Sequence, residues 1–264
     1  MLFCASSCVT DVLNGKKVLV TRPARQTDHL CAMIQQAGGV PIRLPAIDIQ
    51  PITRRNAVDV IFSGLHNYDI AIFISRNAVF HAMSLLQEGT DRLAGLQLVA
   101  LGEGTAAELG AAGLHVVAHG GTQADSEALL ALPLFQESAV RNKRIVIFRG
   151  AGGRELLADT LRARGAQVDY AEVYQRTRPH YEKAVLDKIW FVDRPDRMVV
   201  TSSEALHNLF AILGPEHRVI MLDTGLVVTG ARMAALAQDL GFRKPPVIAE
   251  ATDAGLLRAL MQNS

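Results

Sequence analysis

The chain has 264 residues, 49% of them hydrophobic and 20% charged, with a formal net charge of +1. Such a composition is ordinary for a soluble globular protein, and the length admits one large or two modest domains. A balance so close to neutral excludes a global field that would recruit nucleic acid or a membrane surface, so any anionic partner has to be met by local arginines.

Cys4, Cys8 and Cys31 are sparse, odd in number and without CxxC spacing, which points to reduced thiols and a cytoplasmic protein. Residues 1–15, MLFCASSCVTDVLNG, carry no basic n-region and no long apolar segment, so a disordered leader is expected rather than an export signal. No run approaches the roughly 18 to 20 apolar residues of a membrane-spanning helix. Val18 to Thr21 reads as a strand that delivers Arg22 and Pro23 to its carboxyl end. A helix is expected from about Arg25 to Ala37, ended by Gly38 and Gly39. Val40 to Pro51 contains Pro41, Pro45 and Pro51; proline lacks the backbone donor, so this is an edge or exposed strand. Thr53 to Leu65 follows as a helix with Ala57, Val58, Val60, Ile61 and Leu65 on its apolar side. Asp69 to Ile74 is a buried strand, and Ser75 and Asn77 sit at its end, where a helix begins. Leu98 to Leu101 is a strand, followed by Gly102, Glu103, Gly104 and Thr105 and a helix ending at Gly113. A short strand His115 to Ala118, a loop His119 to Thr122, a helix Ser126 to Leu132 and a linker Pro133 to Asn142 complete the first half.

The apolar run Ile145 to Phe148 is a buried strand, and the glycine-rich turn Gly150, Gly152 and Gly153 leads from it into a helix with Leu156, Leu157, Thr160 and Leu161 at helical spacing. Gly165 stops that helix, and Gln167 to Pro179 is extended. His180 to Trp190 is helical, Met198 to Thr201 a strand ending at Ser202 and Ser203, and Glu204 to about Leu213 a helix. Arg218 to Leu222 and Leu226 to Thr229 are apolar, and one or both are strands. Ala231 to Leu240 is a helix, Val247 and Ile248 a short strand, and Asp253 to Met261 the last helix. Strands alternating with helices across short glycine-containing turns give parallel sheets with helices on both faces.

The second half repeats the first. Arg22 matches Arg149, Gly38 matches Gly165 and Ser75 matches Ser202, each 127 residues apart (149−22, 165−38, 202−75). Gly102 and Gly113 match Gly230 and Gly241 at 128 (230−102, 241−113), and DSEALLAL at Asp125 matches DAGLLRAL at Asp253. A period this long is a duplicated α/β domain rather than a solenoid. The extended segments Val40 to Pro51 and Gln167 to Pro179 are repeat partners, and the two could pair as a thin ladder between the halves.

In such sheets ligands bind at the carboxyl ends of the strands, beside helix N-termini. Thr21, Arg22, Ser75, Arg76, Asn77, Thr105, Arg149, Arg154, Ser202, Ser203, Thr229 and Arg232 collect there, and hydroxyls, guanidinium groups and free backbone amides suit anionic oxygens. Singly, Ser75 and Ser202 read as helix caps and the arginines as solvated; together they recur at corresponding turns of both halves. RGAGGRE places Glu155 where a dinucleotide fingerprint needs glycine, and there is no GxxxxGK[ST]. The histidines form no HExxH, no metal-ligand spacing is visible, no GxSxG elbow appears, and basic patches with interleaved aromatics are absent. Tyr174, in VYQRTRP, lies on the extended connector, beside Arg176 and Arg178. A phenol there can donate a proton without carrying charge, or can simply pack the ladder.

TRP after the first strand, ISRNAV, LGEGTAAEL, FRGAGGREL, EVYQRTRP and the terminal DAGLLRAL together resemble the uroporphyrinogen-III synthase family, in order, from about Lys17 to Gln262. The resemblance implies two α/β domains from an internal duplication, joined by a two-stranded ladder, with the active site in the interdomain cleft. It implies discontinuous domains: 1–39 with 180–264, a ladder of 40–51 and 167–179, and 52–166. It further implies a lyase without cofactor or metal; a monomer is expected because the duplication already supplies a two-fold-like pair. Its substrate would be the linear tetrapyrrole hydroxymethylbilane, a polycarboxylate, closed to uroporphyrinogen III with loss of water and inversion of ring D. Tyr174 then matches the family's proposed acid, and Ser75, Thr105 and Ser202 match positions near the substrate. The second half departs from the family's GxxTA turn, with Met233 where Thr105 repeats, so that Thr229 or Arg232 could substitute.

Two other readings are open to the residues alone: a two-domain module that binds an anionic ligand without catalysis, and a nucleotide-using enzyme, which Glu155 weakens. Three expectations follow for the structure. The strand at Val18 should pair with strands from after Pro179. Arg22 and Arg149 should serve substrate binding rather than folding. Tyr174 should point into the cleft with its hydroxyl free of strong protein partners.

Overall fold

The computed structural model describes residues 12–53, 56–86, 89–121 and 125–262. Most of the expected leader, with Cys4 and Cys8, lies outside the described residues, as do positions 54–55 of the expected Thr53–Leu65 helix and Thr122 of the expected loop. The strands among the described residues are β1 (Lys17–Val20), β2 (Val40–Arg43), β3 (Asp48–Pro51), β4 (Ile70–Phe73), β5 (Gln97–Ala100), β6 (Ala118–His119), β7 (Arg144–Gly150), β8 (Gln167–Thr177), β9 (Arg197–Val200), β10 (Gly225–Val228) and β11 (Val247–Ile248). They form two sheets, in the orders β11-β10-β9-β1-β2 and β3-β8-β7-β4-β5-β6. Pairing is parallel from β11 to β2 and from β8 to β6, as strands separated by crossover helices require.

The chain divides into two compact units, Met1–Asp48 with Thr177–Ser264, and Ile49–Arg176. In the first unit β1 is central. Val18, Leu19 and Val20 stand opposite Arg197, Met198 and Val199 of β9 on one side and opposite β2 on the other. The strand at Val18 thus joins strands from beyond Pro179, as expected. One core cluster there holds Val18, Val20, Val199 and Val227 under Leu30 and Ile34 of the helix Asp28–Gln36 and Leu256 and Leu260 of the helix Asp253–Met261. Each such side chain, fully buried, contributes about 1.5–3 kcal/mol.

In the second unit the period-2 alternation of a strand puts the sheet between two cores. Ile70, Ile72, Ile145 and Ile147 face one with Leu157 and Leu161; Ala71, Phe73, Val146 and Phe148 face the other with Phe62, Val79 and Tyr174. Phe73 and Phe148 stack at 4.5 Å, and Phe62 meets Phe148 edge-on at 5.7 Å. The helices after β1 and β7 both close on a left-handed glycine, Gly38 (φ 80°) and Gly165 (φ 87°), where a side chain would be strained.

Several expected elements take another form. Val40 to Pro51 divides in two: β2 is the edge of one sheet, beside β1, and β3 is the edge of the other, beside β8, so only its last part pairs with Gln167–Thr177. Pro45, lacking an N–H, falls where the pairing beside β1 ends. Leu44 and Ala46 around it donate to the carbonyls of Val20 and Thr21 at 3.0 and 2.9 Å. Gln167–Thr177 is a strand of the second unit's sheet, in register with β7. The helix Asn56–Ser63 buries Val58 and Phe62 and leaves Val60 exposed. Arg218 to Leu222 is helical, within Pro215–Asp223, with proline at the first turn and His217 and Met221 buried at i, i+4 spacing. The segment Pro133 to Asn142 is more than a linker, since the turns Pro133–Phe135 and Glu137–Val140 bury Phe135 and Val140. The helix after Pro179 is Lys183–Asp187, running on as a π-helix, Lys188–Asp193, around the buried Trp190. Among the described residues no helix is long and apolar enough to cross a membrane.

Candidate functional site

In the second unit β4 ends at Phe73, and Ser75 opens the helix Arg76–Leu86. The Ser75 hydroxyl oxygen accepts the Ala78 N–H at 3.1 Å, the bond of a helix cap. The same oxygen lies 3.2 Å from the Tyr174 hydroxyl. Tyr174 is only 2% exposed. Its ring stacks on the buried His81 at 5.6 Å between centroids and 26° between planes. Its other surroundings include Gly150, where a Cβ would stand 2.6 Å from two ring carbons. The Tyr174 hydroxyl, expected to be free of strong protein partners, thus has one, Ser75, at a distance long for two hydroxyls. The register of β7 on β8 shifts between Arg149 and Gly150, which sets Gly150 opposite Tyr174. A bulge re-aims side chains, and a glycine opposite leaves room for the ring to lie down against the sheet.

Beside this hydroxyl pair, Arg76 is exposed and its guanidinium lies over Gly104, where a Cβ would sit 3.0 to 3.3 Å from it. Gly104 and Thr105 form the first turn of the helix Glu103–Ala111, and Thr105 is 7% exposed. Asn77 is half-buried on the first turn of its own helix. Ser75, Arg76, Thr105 and Tyr174 are thus gathered on the ends of β4, β5 and β8 within one unit. Hydroxyls, a guanidinium and first-turn amides can together hold carboxylate oxygens.

Arg149 is placed differently from the expectation. Its side chain is 3% exposed and turns back into its own loop, donating to the carbonyls of Gly150 at 3.2 Å and of Gly152, and to Glu155 at 3.1 Å. Its guanidinium lies 4.4 Å above the Tyr170 ring. Gly153 (φ 113°) leaves room for it, since a Cβ there would be 2.7 Å from Nη2. The glycine-rich turn is thus filled by its own arginine. Glu155, read in the sequence as an obstacle to phosphate, is the partner of Arg149 and accepts the Tyr170 hydroxyl at 2.5 Å. That hydroxyl and then Arg149 hold the Glu155 carboxyl below its ordinary range. Burial, then the bond to Glu155, pushes the Tyr170 phenol up to about 12. Arg154 is exposed outside this cluster.

In the first unit Thr21 is fully buried, its hydroxyl donating to the Val199 carbonyl at 2.9 Å, so it ties β1 to β9 rather than facing a ligand. Arg22 donates to Asp253 at 2.5 Å, and His29 meets the other oxygen of the same carboxylate at 2.7 Å. Burial alone would raise the Asp253 carboxyl, but the bonds from His29 and Arg22 prevail and hold it below its ordinary value. Ser202 caps the helix Ser203–Ile212 by accepting the Ala205 N–H at 3.1 Å, and Ser203 is half-buried beside it. Thr229 donates to the Thr201 carbonyl at 3.2 Å and faces the Met233 sulfur at 3.8 Å. Arg232 is exposed on the first turn of the helix Ala231–Asp239.

Sequence reasoning missed His81, the packing of Gly150 against Tyr174 and the Arg149–Glu155 closure. His81 falls between Ala78, Val79 and Ala82 on the buried face of its helix, so helical spacing could have placed it inside. The partner it stacks on, 93 positions away (174−81), is set by the fold alone. Among the described residues no group of three or more His, Cys, Asp or Glu side chains could hold a metal ion.

Comparison with known proteins agrees along almost the whole chain. The family model described as uroporphyrinogen-III synthase HemD matches residues 28–258. The uroporphyrinogen-III synthase of Escherichia coli (strain K12) is 34% identical over 245 residues, covering 92% of this chain and 99% of that protein. The fold is similar to that of the crystal structure of uroporphyrinogen-III synthetase from Helicobacter pylori 26695, with a TM-score of 0.61 at 15% identity, covering 92% of this chain and 97% of that one. It is also similar to that of a mutant uroporphyrinogen III synthase from the extremely thermophilic bacterium Thermus thermophilus, with a TM-score of 0.57 at 16% identity, covering 94% and 100%. The chain belongs to the uroporphyrinogen-III synthase family.

Proposed function

We infer that this member of the family cyclises hydroxymethylbilane to uroporphyrinogen III, with loss of water and inversion of ring D, in tetrapyrrole and haem biosynthesis. The observation that carries the reading is the match at 34% identity over 92% of this chain and 99% of the relative. The geometry is compatible with it. Closing an already reactive bilane with its last ring inverted is chiefly a task of orientation, which needs many weak anchors and no strong nucleophile.

The site proposed for it uses the strand-end groups. Arg76, Asn77 and Thr105 of the second unit, and Ser202, Ser203, Thr229 and Arg232 of the first, would meet substrate carboxylates. The hydroxyl pair of Tyr174 and Ser75, 3.2 Å apart, would supply the hydrogen bond to the departing hydroxyl. Thr21, Arg22 and Arg149 already have protein partners, and we propose supporting roles for them. A duplicated pair of halves that both contribute to a single substrate site, a hydro-lyase classification, a monomer, a cytoplasmic location and independence of nucleic acid are parts of the same proposal.

The test is incubation of the purified protein with freshly made hydroxymethylbilane, followed by oxidation and separation of the uroporphyrin isomers. Isomer III should dominate and form faster than isomer I does without protein, and a chelator should leave the rate unchanged. Isomer I alone, at the spontaneous rate, would sink the reading; bilane bound without conversion would favour a binding module.

A further inference from the structure

A serine hydroxyl has one proton to give and two lone pairs to accept with. The Ala78 N–H occupies one lone pair of Ser75 Oγ at 3.1 Å. The Tyr174 hydroxyl lies 3.2 Å away, and its only polar partner among the described residues is Ser75. At 2% exposure, a Tyr174 proton turned anywhere else would be a buried donor without an acceptor, which is costly. The favoured arrangement has Tyr174 donating to Ser75. Both lone pairs of Ser75 are then taken, and its own proton is directed away from the helix and the phenol. Ser75 is half-buried whereas Tyr174 is buried, so the proton of Ser75 is the one a ligand can reach.

Capping does not explain the phenol. Ser202 caps its helix with an equal bond of 3.1 Å, and the residue 127 positions before Tyr174 is Ile47 (174−127), which has no hydroxyl. We propose that Ser75 is the residue that touches substrate, presenting its proton to a substrate oxygen, and that Tyr174 is a positioning residue that acts through Ser75. This rests on the bilane-cyclising reading above and assigns the parts within it.

The experiment is a double-mutant cycle read in kcat and isomer ratio. Ser75→Ala should lower kcat by about 10²-fold, at the low end of general-acid effects, and Tyr174→Phe by roughly tenfold. The double variant should be no slower than Ser75→Ala alone. Ser75→Asp separates chemistry from folding, since its carboxylate can still accept from Ala78 and Tyr174 but offers no proton at neutral pH. It should unfold near the wild-type temperature with kcat as low as Ser75→Ala, whereas Ser75→Thr should recover most of the rate. Losses that multiply in the double variant, or Ser75→Asp at wild-type kcat, would overturn the assignment and leave Tyr174 in direct contact with substrate. A wild-type protein that makes no isomer III would instead overturn the reading on which it rests.

Discussion

Ser75 and Ser202 stand 127 residues apart and cap their helices with bonds of the same length, 3.1 Å. Beyond that bond the two units part. Behind Ser75 lies the Tyr174 phenol; at the position matching Tyr174 in the first unit is the buried Ile47. Thr105 in the first turn of one helix corresponds to Met233 in the other, and Gly150 after one strand-end arginine corresponds to Pro23 after its counterpart. Where the two units agree, the residues close helices and fill sheets. Where they differ, at Tyr174 and Thr105, the second unit has a hydroxyl and the first an apolar side chain. The comparison therefore separates the scaffold from the chemistry better than either unit does by itself.

The largest test of this contrast is the arginine pair. Arg149 is buried in its own turn and Arg22 reaches a carboxylate on the last helix. Arg149→Ala should cost about 2–3 kcal/mol, from lost charge-assisted bonds and the cation–π contact with Tyr170. Arg22→Ala should cost about 1 kcal/mol or less. Urea unfolding followed by circular dichroism measures both, and equal losses would break the distinction. Next is Gly150→Ala, whose Cβ would press on the Tyr174 ring. Overpacking of this kind costs about 1–3 kcal/mol, and the rate should fall with the ring displaced. Pro23→Ala should stay within about 0.5 kcal/mol.

These contrasts also mark what the sequence could and could not disclose. The β-branched runs around Val18, Ile72, Ile147 and Val199 name their strands, because burial on both faces leaves no polar alternation. The prolines of Val40 to Pro51 announce edge strands, which β2 and β3 are. Tyr174 was legible as a candidate by its place on the connector, but its bond to Ser75 spans 99 positions and depends on a bulge that no local pattern signals. Arg149 looked free for a ligand because the left-handed conformations of Gly152 and Gly153 that fold the turn around it are a choice the backbone makes only in context. Arg218 to Leu222 was ambiguous because a short apolar run fits either period.

Two smaller effects sharpen the comparison through pH. In the first unit the folded-state value of Asp253 is depressed below the ordinary 3.8. Its contribution is therefore present above that value and is lost as the pH falls through the lowered one. Asp253→Asn should lower the unfolding temperature at pH 7 and make less difference at pH 3; an equal difference at both would remove the ion-pair explanation. In the second unit Tyr68 and Tyr170 are pushed up to about 12, by burial first and then by their carboxylate partners Asp169 and Glu155. A raised value contributes stability that is complete below about 10 and declines as the pH rises toward 12. Alkali should loosen the second unit across that window. The lone tryptophan, Trp190, is buried in the first unit, so its fluorescence should lag behind tyrosine ionisation measured by absorbance. Simultaneous change in both signals would mean that the units unfold as one.

The central place of β1 has a consequence for the newly made chain. Its neighbour β2 follows at Val40, but its other neighbour, β9, begins only at Arg197. At about 5–20 residues per second, the ribosome needs roughly 8 to 30 s to travel from one to the other. The segment Ile49–Arg176 is completed within that interval, while Val18, Leu19 and Val20 wait with one edge open. An unpaired apolar edge is where nascent chains aggregate, so the first strand to be synthesised is among the last to be secured. Codon changes or cold that slow translation between Arg43 and Arg197 should lower the yield of soluble protein more than the same delay placed after Val228.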